Sequence, residues 1–204
     1  MTARPMILGL SGTTREESSS ERILRACLAP LERQGASVRG LYGQDLMLPI
    51  YEPGASVSSE RAQVLLAAVR DCDGVIICSP GYHGAVSGMI KNALDYLEDL
   101  RTDRRPYLEG RAVGCVGCAA GWQAAASALT GLRSIVHALR GWPTPLGLSI
   151  NTAGLEGCAT LPDKVQLQLE TMSIQVLEHA EMRGRFLGER AHAESGLLQV
   201  EQVA

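Results

Sequence analysis

The chain has 204 residues, 46% of them hydrophobic and 20% charged, with a formal net charge of −3. That length holds one sizeable domain with a full core, and the composition is that of a soluble globular protein, not a disordered one. There is no basic excess to hold a nucleic-acid backbone or an anionic membrane surface, no apolar run of membrane-spanning length, and no targeting signal in MTARPMILGL. A cytoplasmic protein without nucleic-acid or membrane partners is expected.

Residues 6–20, MILGLSGTTREESSS, open the chain's chemistry. Met6, Ile7, Leu8 and Leu10 read as a buried strand that breaks into a loop of Ser11, Gly12, Thr13, Thr14, Arg15, Ser18, Ser19 and Ser20 and then into a helix. Backbone N–H groups at a helix start, hydroxyls and one guanidinium are the groups that hold a terminal phosphate. The loop is neither G-x-G-x-x-G nor G-K-[ST], so it suits a monophosphate better than a dinucleotide or a nucleoside triphosphate. The plainer alternative is a Ser/Thr-rich turn that only caps the helix.

Further along, Ile23, Leu24, Cys27, Leu28 and Leu31 make the first helix amphipathic, and Pro30 should bend it or end it early. A short strand over 36–42 and a long loop over 44–58 lead to a second helix capped by Ser58 or Ser59. GVIIC, 74–78, reads as a central strand. A third helix carries Val86, Met89, Ile90, Ala93, Leu94, Leu97 and Leu100 on one stripe and ends in the arginine-rich RTDRRPYLEGR. A strand over 111–118, a helix over 122–140 with Leu129, Leu132, Val136 and Leu139 inward, a strand over 145–150 and a helix over 162–182 follow. Residues 1–183 are expected to form one domain, and 184–204 a tail that is either an oligomer arm or loose.

Six cysteines in a chain this long do not make a disulfide scaffold. Cys115 and Cys118 have C-x-x-C spacing, but on a strand they point to opposite faces, and no second Cys/His pair stands near to complete a metal site. Cys27, Cys72, Cys78 and Cys158 read as small core residues or loop thiols.

Five strands alternating with five helices imply a doubly wound α/β fold, its parallel sheet covered on both sides. For the order 2-1-3-4-5, ligands bind beyond the carboxyl ends of the first and third strands. After the third strand come Pro80, Gly81, Tyr82, His83 and Gly84, a turn that can present backbone and an aromatic to a flat ring, unless Tyr82 packs in the core and His83 is a surface residue. After the fourth come Ala119, Ala120, Gly121, Trp122 and Gln123, where small residues let a ring approach the backbone and helix-start amides can stabilise negative charge. A planar cofactor with a ribityl monophosphate fits these three strand ends.

The pattern Ser11-Gly12-Thr13-x-Arg15-x-x-Ser18-x-Ser20, with Ser79-Pro80-x-Tyr82-His83-Gly84 and Ser87-Gly88-x-x-Lys91-Asn92-Ala93-Leu94-Asp95, resembles the NADPH-dependent FMN reductases of the flavodoxin-like superfamily over about residues 6–182. The resemblance implies a three-layer flavodoxin-like domain. It implies that Ser11, Thr13, Arg15, Ser18 and Ser20 hold the FMN phosphate, that Pro80, Gly81, Tyr82 and His83, in the turn shaped by Gly84, line the isoalloxazine, and that Ala119, Gly121 and Trp122 lie near its pyrimidine edge. It also implies homodimers or homotetramers built partly on the third helix. Two departures stand out: Ser20 occupies a position where family members often carry Asn, and Ala119, Ala120 and Trp122 replace the usual glycines, altering ring placement or access.

The expected function is therefore an FMN-dependent oxidoreductase, with NADPH or NADH delivering hydride to flavin N5 and free FMN, a quinone, a metal ion or a partner monooxygenase taking the electrons. The flavin carries that chemistry, so no catalytic side chain is assigned. One alternative is an FMN dehydrogenase of a small carboxylated intermediate such as an aminodeoxychorismate-type compound, its carboxylates gripped by Arg101, Arg104, Arg105 and Arg111, unless these form a solvated run with Asp103 and Glu109. The other is a flavodoxin-like electron carrier, for which −3 is a weak acidic face.

Overall fold

The computed structural model describes residues 4–54, 59–155 and 160–201, with side chains through residue 192. Ser58 and Cys158 lie outside the described residues.

The central strands are apolar along their length because both of their faces are covered. These are β1 (Met6–Ser11), β3 (Gly74–Tyr82) and β5 (Ala112–Ala119), with β2 (Ser37–Leu41) at the edge. Alternate residues go to opposite cores. Leu8, Leu10, Val75, Ile77, Val113 and Cys115 pack on one face, and Ile7, Ile76, Cys78, Val116 and Cys118 on the other. Helices α2 (Glu60–Asp71), α3 (Gly88–Asp95) and α4 (Trp122–Ala138) cover the first face, and α1 (Ser19–Arg33) and α5 (Asp163–Glu201) the second. Cys115 and Cys118 thus lie in different cores, and burial pushes both thiols up to about 12.

The sheet is α/β and flavodoxin-like, but it has seven strands, not the expected five, and its order differs: β2-β1-β3-β5-β6, with β4 (Ala85–Val86) paired to β3 and β7 (Leu148–Asn151) paired to β5. Two local causes account for this. In place of the strand expected over 145–150, the chain pairs with β5 in two pieces, β6 (Trp142–Pro143), which lies ahead of the expected start, and β7, because Pro143 and Pro145 lack the N–H that a continuous ladder needs. Thr144 spans the break, its N–H donating to Val113 O at 3.0 Å and its hydroxyl to Leu146 O at 2.8 Å. The chain leaving β3 turns back on itself, so β4 adds a short antiparallel pair to an otherwise parallel sheet.

The helices also depart from their sequence patterns. Helix α1 runs through Pro30 to Arg33, with Pro30 buried. The apolar stripe expected on one third helix divides between α3 and a 3-10 helix, Tyr96–Leu100. A further 3-10 helix, Gly43–Leu46, opens the long loop after β2. Helix α5 passes residue 184 without a break and reaches Glu201. Among the described residues no helix is long and apolar enough to cross a membrane.

The register aligns the strand ends: Ser11 lies beside Cys78, and Pro80 beside Cys118. The loops leaving β1, β3 and β5 therefore emerge on one edge. Helix α4 reaches that edge only because β5 has no side chain at Gly117, where a Cβ would overlap Ala125 O and lie 2.7 Å from Leu129 N. Gly117→Ala should lower stability by about 1–3 kcal/mol. Gly131→Ala, where a Cβ in the same helix meets nothing within 4 Å, should be neutral or stabilise by up to about 1 kcal/mol. Urea unfolding of the two variants checks the contrast.

Candidate functional site

The first strand end is a cluster of buried hydroxyls. Ser11, Ser18 and Ser20 are each under a tenth exposed; Ser11 Oγ donates to Ser20 Oγ at 3.2 Å, and Ser18 and Ser20 share a hydrogen at 3.2 Å. Ser18 is also the N-cap of α1, accepting from the Glu21 N–H at 3.2 Å. Capping and a phosphate cradle are therefore not rivals here, since the cap aims the hydroxyls at the helix start, where backbone donors and partial positive charge already lie. Ser20, shorter than the Asn expected from the resemblance, sits between the other two hydroxyls. Thr13 Oγ1 accepts the Arg15 N–H at 3.2 Å, and the exposed Arg15 guanidinium has no partner among the described residues. Gly12 is required by packing, as a Cβ there would collide with Ile90 and would sit 2.5 Å from Ser87 Oγ at the start of α3.

The second strand end is a two-residue hairpin. Tyr82 pairs with Ala85 across a turn in which His83 has φ +50° and Gly84 φ +82°, the geometry of a type I′ turn, which favours glycine at its second position. Ser79 Oγ accepts the Ser87 N–H at 3.0 Å, and Ser87 Oγ in turn accepts the Ile90 N–H at 3.2 Å as the N-cap of α3. This locks the hairpin to the helix behind it. Tyr82 is 54% exposed and His83 is exposed, so neither is a core residue.

At the third strand end, Ala119 is half-buried, Ala120 exposed, and Trp122, the first residue of α4, is 66% exposed. Gly81 lies against the first turn of α4, since a Cβ there would be 2.5 Å from Ala124 O. A Cβ at Gly84, Gly88 or Gly121 would meet nothing within 4 Å. The edge therefore offers buried hydroxyls at one end and open backbone flanked by two exposed aromatic rings at the other. That set of donors and open surfaces fits a phosphorylated planar group.

Two other sequence candidates fall away from this edge. Arg111 immediately precedes β5, so the 101–111 segment lies at the amino edge of the sheet, opposite the site, and cannot grip a ligand there. Burial pushes the thiol of Cys72 up to about 11, burial and the neighbouring Cys27 hold that of Cys78 well above the ordinary thiol range, and both are poor nucleophiles. No group of three or more metal-ligating side chains occurs among the described residues.

Residues 5–154 match the model of the NADPH-dependent FMN reductase family. The chain belongs to that family. It is 40% identical over 60 residues to the NADPH azoreductase of Bacillus sp. strain OY1-2, covering 29% of this chain and 34% of that protein. It is 36% identical over 96 residues to the FMN-dependent NADPH-azoreductase of Staphylococcus saprophyticus subsp. saprophyticus, covering 45% and 47%. The matched regions thus span between about a third and half of these curated relatives. Among solved structures, FerB, a flavoenzyme NAD(P)H:(acceptor) oxidoreductase from Paracoccus denitrificans, superposes with a TM-score of 0.70 at 19% identity, covering 87% of this chain and 98% of that one. Membership of an FMN reductase family makes FMN the expected prosthetic group and NAD(P)H the expected hydride donor.

Within this FMN reductase scaffold, one position had no role assigned from sequence. Asn92 fastens the loop after β2 to α3: its Oδ1 accepts the Tyr51 N–H at 2.9 Å and its Nδ2 donates to Pro49 O at 2.8 Å. Tyr96 Oη also donates to Pro49 O, at 3.1 Å, and Tyr51 Oη donates to Asp99 Oδ1 at 3.0 Å. Burial and that carboxylate push the Tyr51 phenol up to about 12. The fastened loop walls an open hollow of about 710 Å³ together with Gly88, Met89 and Thr14, which belongs to the loop leaving β1. Asn92 sits in a quoted motif, but its partners are backbone groups 41 and 43 residues away, which no local pattern announces. Asn92→Ala should cost about 0.5–1.5 kcal/mol, the usual net worth of a hydrogen bond that is not fully buried, and should open segment 47–54 to limited proteolysis, read by mass spectrometry of the fragments.

Proposed function

We propose that this chain is an FMN-dependent oxidoreductase that uses NAD(P)H to reduce a small organic acceptor. The observation that carries this reading is the Ser11, Ser18 and Ser20 cluster at the head of α1, set on the same edge as the open backbone at Gly84, Gly88 and Gly121. The flavin, when bound, supplies two-electron transfer between donor and acceptor. The chain's own part is to bind and orient. Ser11, Ser18, Ser20, Thr13 and Arg15 hold the phosphate; the Tyr82–His83–Gly84 turn and Gly121 present backbone to the ring; Tyr82 and Trp122, both exposed, flank the opening an acceptor would use.

An azo or quinone compound is the acceptor class favoured, because the two curated relatives described above are named as azoreductases and because aromatic side chains border the opening. The dehydrogenase alternative loses its motive with the arginines on the opposite edge. An electron carrier would need a charged docking face, and −3 over 204 residues supplies little of one.

The protein should purify yellow or take up FMN. Ser18→Ala/Ser20→Ala and Arg15→Gln should each weaken FMN binding by about tenfold or more, as loss of charge-assisted hydrogen bonds does, while riboflavin binding stays unchanged; fluorescence titration reads both. Anaerobic NADPH or NADH should bleach the bound flavin, and an azo or quinone compound should restore its colour. Absence of FMN uptake defeats the reading, and bleaching by an organic substrate alone would revive the dehydrogenase.

Homo-oligomerisation through the surface around α3 belongs to the same proposal. Its support is that Ile50 and Met47, 81% and 44% exposed, border the hollow beside Met89. Ile50→Glu should shift the light-scattering mass toward the monomer without loss of folded structure.

A further inference from the structure

The arginines of the 101–111 segment neither grip a ligand at the flavin edge nor form a wholly solvated run. Arg111 is 1% exposed, and its guanidinium donates only to carbonyls: Nε to Cys72 O at 3.0 Å, Nη1 to Tyr107 O at 3.2 Å and Nη2 to Arg70 O at 3.1 Å. Arg105 Nη1 donates to the same Cys72 O at 3.4 Å, so two cations share one acceptor. A third guanidinium comes from α5. Arg183 lies against Gly110, which has φ +72° and where a Cβ would be 2.5 Å from both Cζ and Nε of Arg183.

Three polar atoms on these side chains and on His179, one turn before Arg183 in α5, are buried without a hydrogen-bond partner among the described residues: Arg105 Nε, Arg183 Nε and His179 Nδ1. Neighbouring acids are already engaged. Asp103 pairs with Arg70 at 2.8 Å, Glu109 with Arg140 at 3.4 Å, and Asp73 Oδ2 accepts the Met6 N–H at 2.9 Å while offsetting part of the charge on Arg105. Burial and the facing Arg111 and Arg183 make Arg105 a less comfortable cation than usual, and burial together with Arg183 keeps His179 on the neutral side. Like charges gathered with unmet donors are costly unless something negative completes them.

We propose that Arg105 and Arg183, backed by His179, form a binding site for a tetrahedral oxyanion of the phosphate or sulfate class at the amino edge of the sheet. Unmet donors on three side chains of two segments call for a ligand with several acceptor oxygens, which a phosphate supplies and a single carboxylate does not. The imidazole donates from Nδ1 in the matching tautomer. The bound anion ties α5 beyond Ala180 to segment 105–111, and so holds the projecting part of that helix on the domain.

The test uses protein saturated with FMN, so that the hydroxyl cradle on the other edge is filled. Sodium phosphate and sodium sulfate are titrated calorimetrically and in thermal melts against sodium chloride at equal ionic strength. One phosphate per chain should bind saturably and raise Tm, with chloride inert. Arg183→Gln and Arg105→Gln should each weaken phosphate binding by about tenfold or more, with the flavin spectrum unchanged. Arg183→Lys, which keeps the charge but loses the fork, should recover only part of it. Ser18→Ala/Ser20→Ala should leave it intact, which separates this site from the cradle whether or not FMN binds there. Adenosine monophosphate binding as tightly as phosphate would assign the site to a phosphomonoester, and its exclusion to the free ion; either supports the site. No saturable binding, phosphate binding undiminished in the two glutamine variants, or binding lost in the double serine variant overturns it. A second copy closing the arginine pair with a carboxylate would appear as the first of these.

Discussion

The candidate site depends on the parallel register of β1, β3 and β5. Burial on both faces fixes that register, because a one-residue slip would turn every inward side chain of a strand to the opposite core. With Ser11 beside Cys78 and Pro80 beside Cys118, three loops that share no sequence feature leave the sheet side by side. A hydroxyl cluster, a hairpin turn and a small-residue gap then stand along one edge. Everything proposed about cofactor binding follows from that adjacency, and none of the three loops would suffice alone.

The two edges of the sheet divide the labour. The carboxyl edge gathers neutral donors, helix starts and open glycine backbone, as suits a ligand that brings its own negative charge and its own reactivity. The amino edge gathers guanidiniums that are held by carbonyls and incompletely compensated. Arg183 of α5 lies against Gly110 on that edge, so the long terminal helix meets segment 101–111 there as well as packing on the sheet through Leu169, Met172, Val176 and Ala180.

Packing and chemistry are also coupled at the glycines. Gly81 and Gly117 let α4 approach β3 and β5, and Gly12 lets α3 approach β1. Each brings a helix start closer to the edge where a charged ligand would benefit from it. Gly84 serves differently, since its left-handed backbone is what the hairpin turn requires.

Periodicity alone determined most of the architecture: the apolar strands, the stripes on α1, α2 and α4, and the Ser18 and Ser59 caps are local properties, readable because side-chain spacing and capping act within a few residues. The hydroxyl cluster was legible for the same reason, since Ser11, Ser18 and Ser20 lie within ten consecutive positions. Tertiary structure decided the rest. The divided edge strand, β4, and the strand order depend on which backbone groups find partners across the sheet. The role of Asn92 depends on a loop more than forty residues away, and the arginines of 101–111 looked like neighbours of the site until the direction of β5 placed them on the far edge. Sequence spacing records what a residue's neighbours along the chain allow, but which edge of a sheet a loop occupies is set only when the strands pair.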